Sequence, residues 1–320
     1  MEEWSRGGME DWSSSLKWGC SSMGRVHNNF NLWHRRAFLR GSSLVLSASA
    51  FSRSNLLWAD DKPPTLRVAL VTDMHYADKD PAGTRHYRET LPKLAEAATQ
   101  FATDKPDFLV ELGDLIDAAD SPEVELGYLA KINEPFAAIA QDRHYVLGNH
   151  CVDMLTKEEF LGHVGQKESF YSFDRKGVHF VVLDACFRKD GKPYGRKNSA
   201  WDDANIPESE IDWLRQDLKK AEGKVIVLAH QRLDGNSSHC VKNAAEVRSV
   251  LEGSKKVLAV FQGHSHQNAY TEIEHIHYCT LVAMVEGSGV TNNSYTLLDI
   301  HSNGTLHVRG FRKQKNYDWS

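Results

Sequence analysis

Five apolar runs each stop at a short polar stretch built from Asp, Asn and His, and this repeated junction constrains the fold more than any other feature. They are "TLRVALVTDMHYAD", "DKPDFLVELGDLID", "RHYVLGNHCVD", "KVIVLAHQR" and "KKVLAVFQGHSHQN". A near-continuous apolar run of this length marks a strand buried on both faces. Between the runs, apolar residues recur at helical spacing. Leu91, Leu94, Ala95, Ala98 and Phe101 form one such set, residues 124–140 a second, and Ile211, Leu214 and Leu218 (opened by Pro207) a third. A fourth helix is expected near residues 241–251. "SFYSFDRKGVHFVVLDA" reads as a hairpin turning at Lys176–Gly177, and "HIHYCTLVAMVEG", "NSYTLLDIH" and "TLHVRGF" make the C-terminal part strand-rich. Alternating strands and helices with a β-rich end predict an α/β (α+β) domain with helices outside stacked sheets. No repeat or low-complexity linker divides residues 60–320, which are expected to form one domain.

Composition excludes some partners. The 320 residues carry a formal charge of −5. Residues 1–59 hold 7 Lys/Arg and 4 Asp/Glu, so without them the charge is −8. A mildly acidic body gives no electrostatic footprint for nucleic acid, which would need a basic face, and a bound phosphate would need local cations. No run of about 18 apolar residues suggests a transmembrane helix. The N-terminus reads as an address. Arg35 and Arg36 precede Phe38 and Leu39, then a short apolar, small-residue stretch from Gly41 to Phe51. That order is a twin-arginine-type signal peptide, implying export to a periplasmic or extracellular site. Residues 1–22 are unlike a usual charged region, and Met23 is a plausible start. Outside this extension, Cys151, Cys186, Cys240 and Cys279 contain no C-x-x-C pair; export permits disulfides and requires none.

The polar junctions carry the candidate chemistry. They supply Asp73 and His75; Asp114; Asn149 and His150; His230; and His264 and His266. Ligand-binding groups of α/β proteins gather at carboxyl ends of strands. In extended backbone, residues i and i+2 share a side, so Asp73 with His75, and His264 with His266, can each offer two groups to one cavity. Gly113, Gly148 and Gly263 immediately precede polar groups, allowing tight turns and close approach. Carboxylate, carboxamide and imidazole together suit first-row metal ions. Two such ions about 3.5–4 Å apart can clamp an in-line phosphoryl displacement. Singly, each junction has a plain structural reading: Asp114 as a helix cap, Asn149 as a left-handed turn residue. The structural account must explain five junctions at once.

The ordered set D-x-H, G-D, G-N-H, H and G-H-x-H, spread over residues 66–270, resembles the calcineurin-like metallophosphoesterase superfamily. The resemblance implies two stacked mixed β-sheets flanked by helices and two first-row metal ions (Mn, Fe or Zn). It implies that Asp73, His75 and His266 hold one ion, that Asn149, His230 and His264 hold the other, and that Asp114 bridges. His150 would contact the scissile phosphate, as an imidazolium stabilising charge or protonating the leaving group. The reaction implied is attack of a metal-activated hydroxide on phosphorus. One position departs from the pattern: many members have an acidic residue directly after G-N-H, where this chain has Cys151, with Asp153 two further on. Cys151 reads as a packing residue.

A narrower resemblance, to the ADP-ribose/CDP-alcohol diphosphatases, rests on "HYADKDPAGTRHYRETLPKLAEA", "GHSHQNAY" and "GFRKQKNY". It implies a small, nucleotide-type phosphorylated substrate. Arg85 and Arg88 are candidates for a second phosphate, against the alternative of a solvated first helical turn. The D-M-H histidine stands where that subgroup often has glutamine, which bears on metal preference. Trp201 lies in a long loop, where it could stack on a base but is expected to be a buried staple. His86, His144, His163, His179, His239, His275, His277, His301 and His307 are expected to pack or sit at the surface. The expected function is hydrolysis of a nucleotide-type diphosphate or phosphodiester. The rivals are a cyclic-nucleotide phosphodiesterase, a broad phosphomonoesterase, and a non-catalytic interaction module; the last is disfavoured because every ligand position is filled. The sequence leaves the oligomeric state open.

Overall fold

The computed structural model describes residues 63–320. The signal-peptide reading and the start at Met23 lie outside the described residues.

The first half lays down β1 (Leu66–Val71), α1 (Thr90–Asp104), β2 (Phe108–Glu111), α2 (Pro122–Ala137), β3 (Arg143–Tyr145) and α3 (Lys157–Val164). Then come the hairpin β4 (Tyr171–Arg175) and β5 (Val178–Val182), α4 (Glu208–Lys220), β6 (Lys224–Leu228), α5 (Ala244–Ser254) and β7 (Val257–Gln262). The C-terminal part is β8 (Ala269–Ile273), β9 (Ile276–Thr280), β10 (Ser294–Ile300), β11 (Leu306–Arg312) and β12 (Tyr317–Trp319). Two six-stranded sheets result, in the orders β12-β11-β10-β1-β2-β3 and β4-β5-β6-β7-β9-β8. Both are mixed: β1, β2 and β3 run parallel, as do β5, β6, β7 and β9, with antiparallel strands completing each sheet. The expected two-sheet sandwich is what the chain forms.

Burial explains the continuous apolar runs. Along β1, Val68 and Leu70 face the space between the sheets, where they meet Phe108, Val110, Phe180, Ile226, Leu228 and Phe261. The alternate residues Ala69 and Val71 face outward, beneath Leu94 and Phe101 of α1 and Leu129 and Phe136 of α2. On the second sheet, Val225 and Val227 point outward under Ile211 and Leu214 of α4 and Val247 and Leu251 of α5. Every face of the central strands is covered, so no polar alternation survives there.

The helix boundaries follow local chemistry. Ser121 caps α2 by accepting the Val124 N–H, with Pro122 at the first helical position. At α3, the Thr156 hydroxyl accepts from the Glu159 N–H and the Glu159 carboxylate accepts from the Thr156 N–H, a capping box. Helix α3 spans two turns with few apolar residues, and sequence periodicity did not reveal it. A second departure matters more. The run "LVAMVEG" was expected to continue as strand, but β9 stops at Thr280. The Met284 and Val285 N–H groups instead donate to the carbonyls of Thr72 and Asp73, laying this segment along the loop that follows β1. Among the described residues no helix is long and apolar enough to cross a membrane.

Phe108 is the central inter-sheet contact, packed edge-on against Phe180 with ring centroids 5.1 Å apart and Phe173 at 5.5 Å. Phe108→Ala is expected to cost about 3–5 kcal/mol through lost transfer energy and a residual cavity, read as a lowered urea midpoint. A loss below about 1 kcal/mol would mean that the two sheets do not depend on this contact.

Candidate metal centre

The expected residues converge from the carboxyl ends of five strands. Asp73 and His75 follow β1, Asp114 follows β2, Asn149 and His150 open a short turn after β3, His230 follows β6, and His264 and His266 follow β7. Their backbones are unusual. Asp73 (φ 50°), His75 (φ 45°), Asp114 (φ 59°), His264 (φ 69°) and His266 (φ 60°) all occupy the left-handed region. Such conformations cost of order 1–3 kcal/mol each and persist only where surrounding structure over-determines them. Here the Asp73 N–H donates to the Gly113 carbonyl at 2.9 Å, His75 N–H to Asp114 O at 2.8 Å, and Gly263 N–H to His230 O at 3.0 Å. The i, i+2 pairs therefore do reach one cavity, though by left-handed turns and not by the extended backbone expected. Gly113 (φ 102°) lies against the His230 ring, and a Cβ at Gly263 would collide with Thr72 and Asp73.

Two donor clusters share the floor of the site, Asp73, His75 and His266 in one and Asp114, His230 and His264 in the other; a third grouping, His75 with Asp117 and His150, overlaps the first at His75. His75 Nε2 lies 3.1 Å from His266 Nε2, and His266 Nε2 is 3.4 Å from Asp73 Oδ1. Asp114 Oδ2 stands between the clusters, 3.5 Å from His75 Nε2 and 3.0 Å from His230 Nε2. The buried atoms His264 Nε2 and Asn149 Oδ1 have no hydrogen-bond partner within the protein, and His230 Nε2 faces the Asp114 carboxylate.

A ring of second contacts aims the imidazoles. Asp117 Oδ2 sits 3.0 Å from His75 Nδ1, Glu286 Oε1 is 2.6 Å from His266 Nδ1, and the Leu112 carbonyl is 2.8 Å from His230 Nδ1. Each holds the Nδ1 proton and leaves Nε2 turned to the centre. Asp117 also accepts from Lys79 Nζ at 2.5 Å and Arg85 Nη1 at 3.2 Å. The sequence reading missed Asp117 and Glu286. Asp117 had a signal, falling in "GDLID" three residues after Asp114; Glu286 had none, since only the packing of the 281–286 segment brings it here.

Electrostatics point to cations. Asp73 and Asp114 are buried, which opposes their charge, yet the neighbouring histidines hold both carboxyls well below the usual range. Burial opposes charge on His230, but the Asp114 and Asp73 carboxylates raise it to about 9. His266 likewise rises to about 9, against burial, through Asp73 and Glu286. Burial and the charge of His230 push His264 down to about 3. Two buried carboxylates thus draw protons onto two imidazoles, the positive charge that a cation would replace. With two unpartnered donor atoms, on His264 and Asn149, and a mixed O/N ligand set, the residues fit a pair of first-row metal ions.

The centre opens into a cleft of about 580 Å³ lined by Arg85, His150, Asp153, Trp201 and His239 beside the donor residues. Burial pushes His150 down to about 4, only partly offset by Asp114, and this opposes the expected imidazolium there. The structure does not bring Arg88 to the cleft: it is 49% exposed and bound to Asp78 at 2.5 Å and Asp80 at 2.7 Å. Trp201, expected as a buried staple, is 49% exposed and lines the cleft together with Ser199 and Ala200 of its loop. His239, given no role by the sequence reading, lines it too. Cys151 is fully buried with its thiol pushed well up by burial, consistent with packing. The four described cysteines are free thiols.

Comparison with known proteins gives the family. The calcineurin-like phosphoesterase family model matches residues 66–268. A manganese-dependent ADP-ribose/CDP-alcohol diphosphatase of Xenopus laevis is 25% identical over 70% of this chain and 82% of its own. The Arabidopsis thaliana protein of the same name is 22% identical over 81% of this chain and 98% of its own. A 3',5'-cyclic-nucleotide phosphodiesterase of Nostoc sp. is 23% identical over 67% of this chain and 76% of its own. In fold, the chain resembles a dimetal phosphatase from Danio rerio, with TM-score 0.71 and 18% identity over 80% of this chain and 99% of that one. The chain, by its sequence and by the architecture that carries its polar junctions, belongs to the calcineurin-like phosphoesterase family.

Proposed function

We propose that this protein is a two-metal phosphohydrolase that cleaves the diphosphate bond of a nucleotide-type substrate such as ADP-ribose. The observation that carries the reading is the pair of donor clusters meeting at Asp114 beneath a cleft that also presents Arg85 and His150. Asp73, His75 and His266 would hold one ion, and Asn149, His230 and His264 the other, with Asp114 shared. Manganese is favoured by the printed names of the relatives. When bound, such ions polarise phosphoryl oxygens and acidify water near neutral pH.

The chain's own residues supply the rest. Arg85 lines the cleft with Nη1 bound to Asp117, and its remaining N–H donors would meet a second phosphate. The His150 backbone N–H donates to Asp114 Oδ1 at 2.8 Å, so the turn carrying the ring is tied to the shared carboxylate. A neutral imidazole carries one N–H, and His150 is placed to donate it to charge developing on the leaving oxygen. Asp117 and Glu286 orient His75 and His266 without facing the substrate.

³¹P NMR of ADP-ribose incubated with the manganese-loaded full chain tests the reading. Water added across the diphosphate bond gives AMP and ribose 5-phosphate, and two phosphomonoester signals should replace the diphosphate pair. An unchanged ADP-ribose spectrum alongside conversion of 3',5'-cyclic AMP to AMP would favour the phosphodiesterase reading, which the Nostoc relative supports. No turnover of either would contradict hydrolysis of nucleotide phosphates.

The twin-arginine reading of the extension belongs to the same proposal. Arg35 and Arg36 before an apolar, small-residue stretch support export to a periplasmic or extracellular site, where scavenging phosphate from released nucleotides fits the chemistry. Replacing both with Lys should retain the full-length chain in the cytoplasm on fractionation of the producing cells. Undiminished export of the double variant would overturn it.

A further inference from the structure

Trp201 is the feature of the cleft that neither a metal centre nor a phosphate site requires. Among the described residues four large apolar side chains are exposed, namely Val124, Trp201, Tyr270 and Val290. Trp201 is the most exposed of them, and it lines the same cleft as the metal-ligand candidates. Its ring centroid is 5.2 Å from that of His239 and 6.2 Å from that of His264. The aromatic surface therefore begins directly beside one donor cluster and runs away from it.

The backbone carrying both rings is held by hydrogen bonds within the two loops. Trp201 sits on a turn whose preceding carbonyl, Ala200, accepts from the buried Tyr194 hydroxyl at 3.1 Å and from the Asp203 N–H at 3.0 Å. The approach to that turn is closed by Asn198, whose Oδ1 accepts from Gly195 N–H and whose Nδ2 donates to Pro193 O. His239 lies on the loop after His230, where its carbonyl accepts from Arg232 N–H at 3.2 Å and Val241 N–H returns to Arg232 O at 2.9 Å. The loops therefore need not be ordered on binding, which lowers the entropic cost of stacking.

The cleft is thus polar at one end, with Arg85, His150 and the carboxylates, and aromatic at the other. A ligand that satisfies both ends joins a phosphate to a planar aromatic group through a short polar spacer. We propose that Trp201, with His239 beside it, is the stacking platform for the nucleobase of the substrate. This inference rests on the phosphohydrolase reading above and adds to it which residues select nucleotides over other phosphate compounds. Stacking tolerates every base, so the platform predicts a preference for nucleotides as a class over base-free phosphates, with little discrimination between adenine and cytosine.

Isothermal titration calorimetry of the manganese-loaded full chain with AMP and with ribose 5-phosphate separates the two ends of the cleft. Both ligands carry one phosphate on a ribose, and only AMP carries a base. AMP is expected to bind more tightly. Trp201→Ala should weaken AMP by about ten-fold or more and leave ribose 5-phosphate unchanged, while Trp201→Phe should keep most of the AMP affinity. Equal affinities for the two ligands in the wild type would overturn the platform, as would a Trp201→Ala variant that keeps its AMP affinity or weakens both ligands equally. The comparison is read by binding alone, so it is decided whether or not turnover occurs. Failure of the phosphohydrolase reading shows separately, as unchanged ³¹P spectra.

Discussion

Two fully buried carboxylates, Asp73 and Asp114, are the constraint on which the rest of the structure depends. Taking an ionised carboxylate out of water costs several kcal/mol even after relaxation. The surroundings answer with directed positive charge and donors: His230 beside Asp114, His266 and the His264 backbone N–H beside Asp73, and the His150 backbone N–H on Asp114. Neither carboxylate could be held this way by one strand. The loops after β1, β2, β3, β6 and β7 must all arrive at one end of the sandwich, and the parallel pairing of β1 with β2, of β2 with β3, and of β6 with β7 places them there.

Holding the ligands requires backbone that would not be stable alone. Five candidate ligands have left-handed φ, and a scaffold of closely packed strands is what sustains that strain. Hydrogen bonds tie neighbouring loops within each sheet, as Asp73 N–H to Gly113 O and Gly263 N–H to His230 O, and the His264 N–H to Asp73 Oδ2 bond joins the loops of the two sheets. The 281–286 segment completes the cage. By leaving β9 and pairing with Thr72 and Asp73, it delivers the Glu286 carboxylate to His266. Lys93 of α1 in turn donates to the carbonyls of Met284, Glu286 and Gly287 at 2.7–2.9 Å, so a helix on the outer face steadies a group that touches a ligand.

What was legible in the sequence was whatever depends on local pattern. Strands buried on both faces show as unbroken apolar runs, and the junctions after them showed which residues would meet. The family resemblance added which ones share an ion. Long-range placement was not legible. The shift from strand to loop after Thr280 is decided by hydrogen bonds to residues some 200 positions earlier, and Glu286 becomes a partner of His266 only through it. The same applies to Trp201: its loop has no periodicity, and whether an indole folds inward or lines a cleft depends on anchors such as Tyr194 and Asp203. Arg88 failed as a candidate for a local reason, two acids within ten residues that capture its guanidinium first.

The central claim is that these junction residues hold two metal ions through the shared Asp114. Its most direct test is metal content by plasma mass spectrometry after the full chain is saturated with manganese and freed of excess. The account predicts two ions per wild-type chain, one for each donor cluster, and loss of both from folded Asp114→Ala. A folded Asp114→Ala protein that retains both ions would contradict it, as would a wild type that binds none.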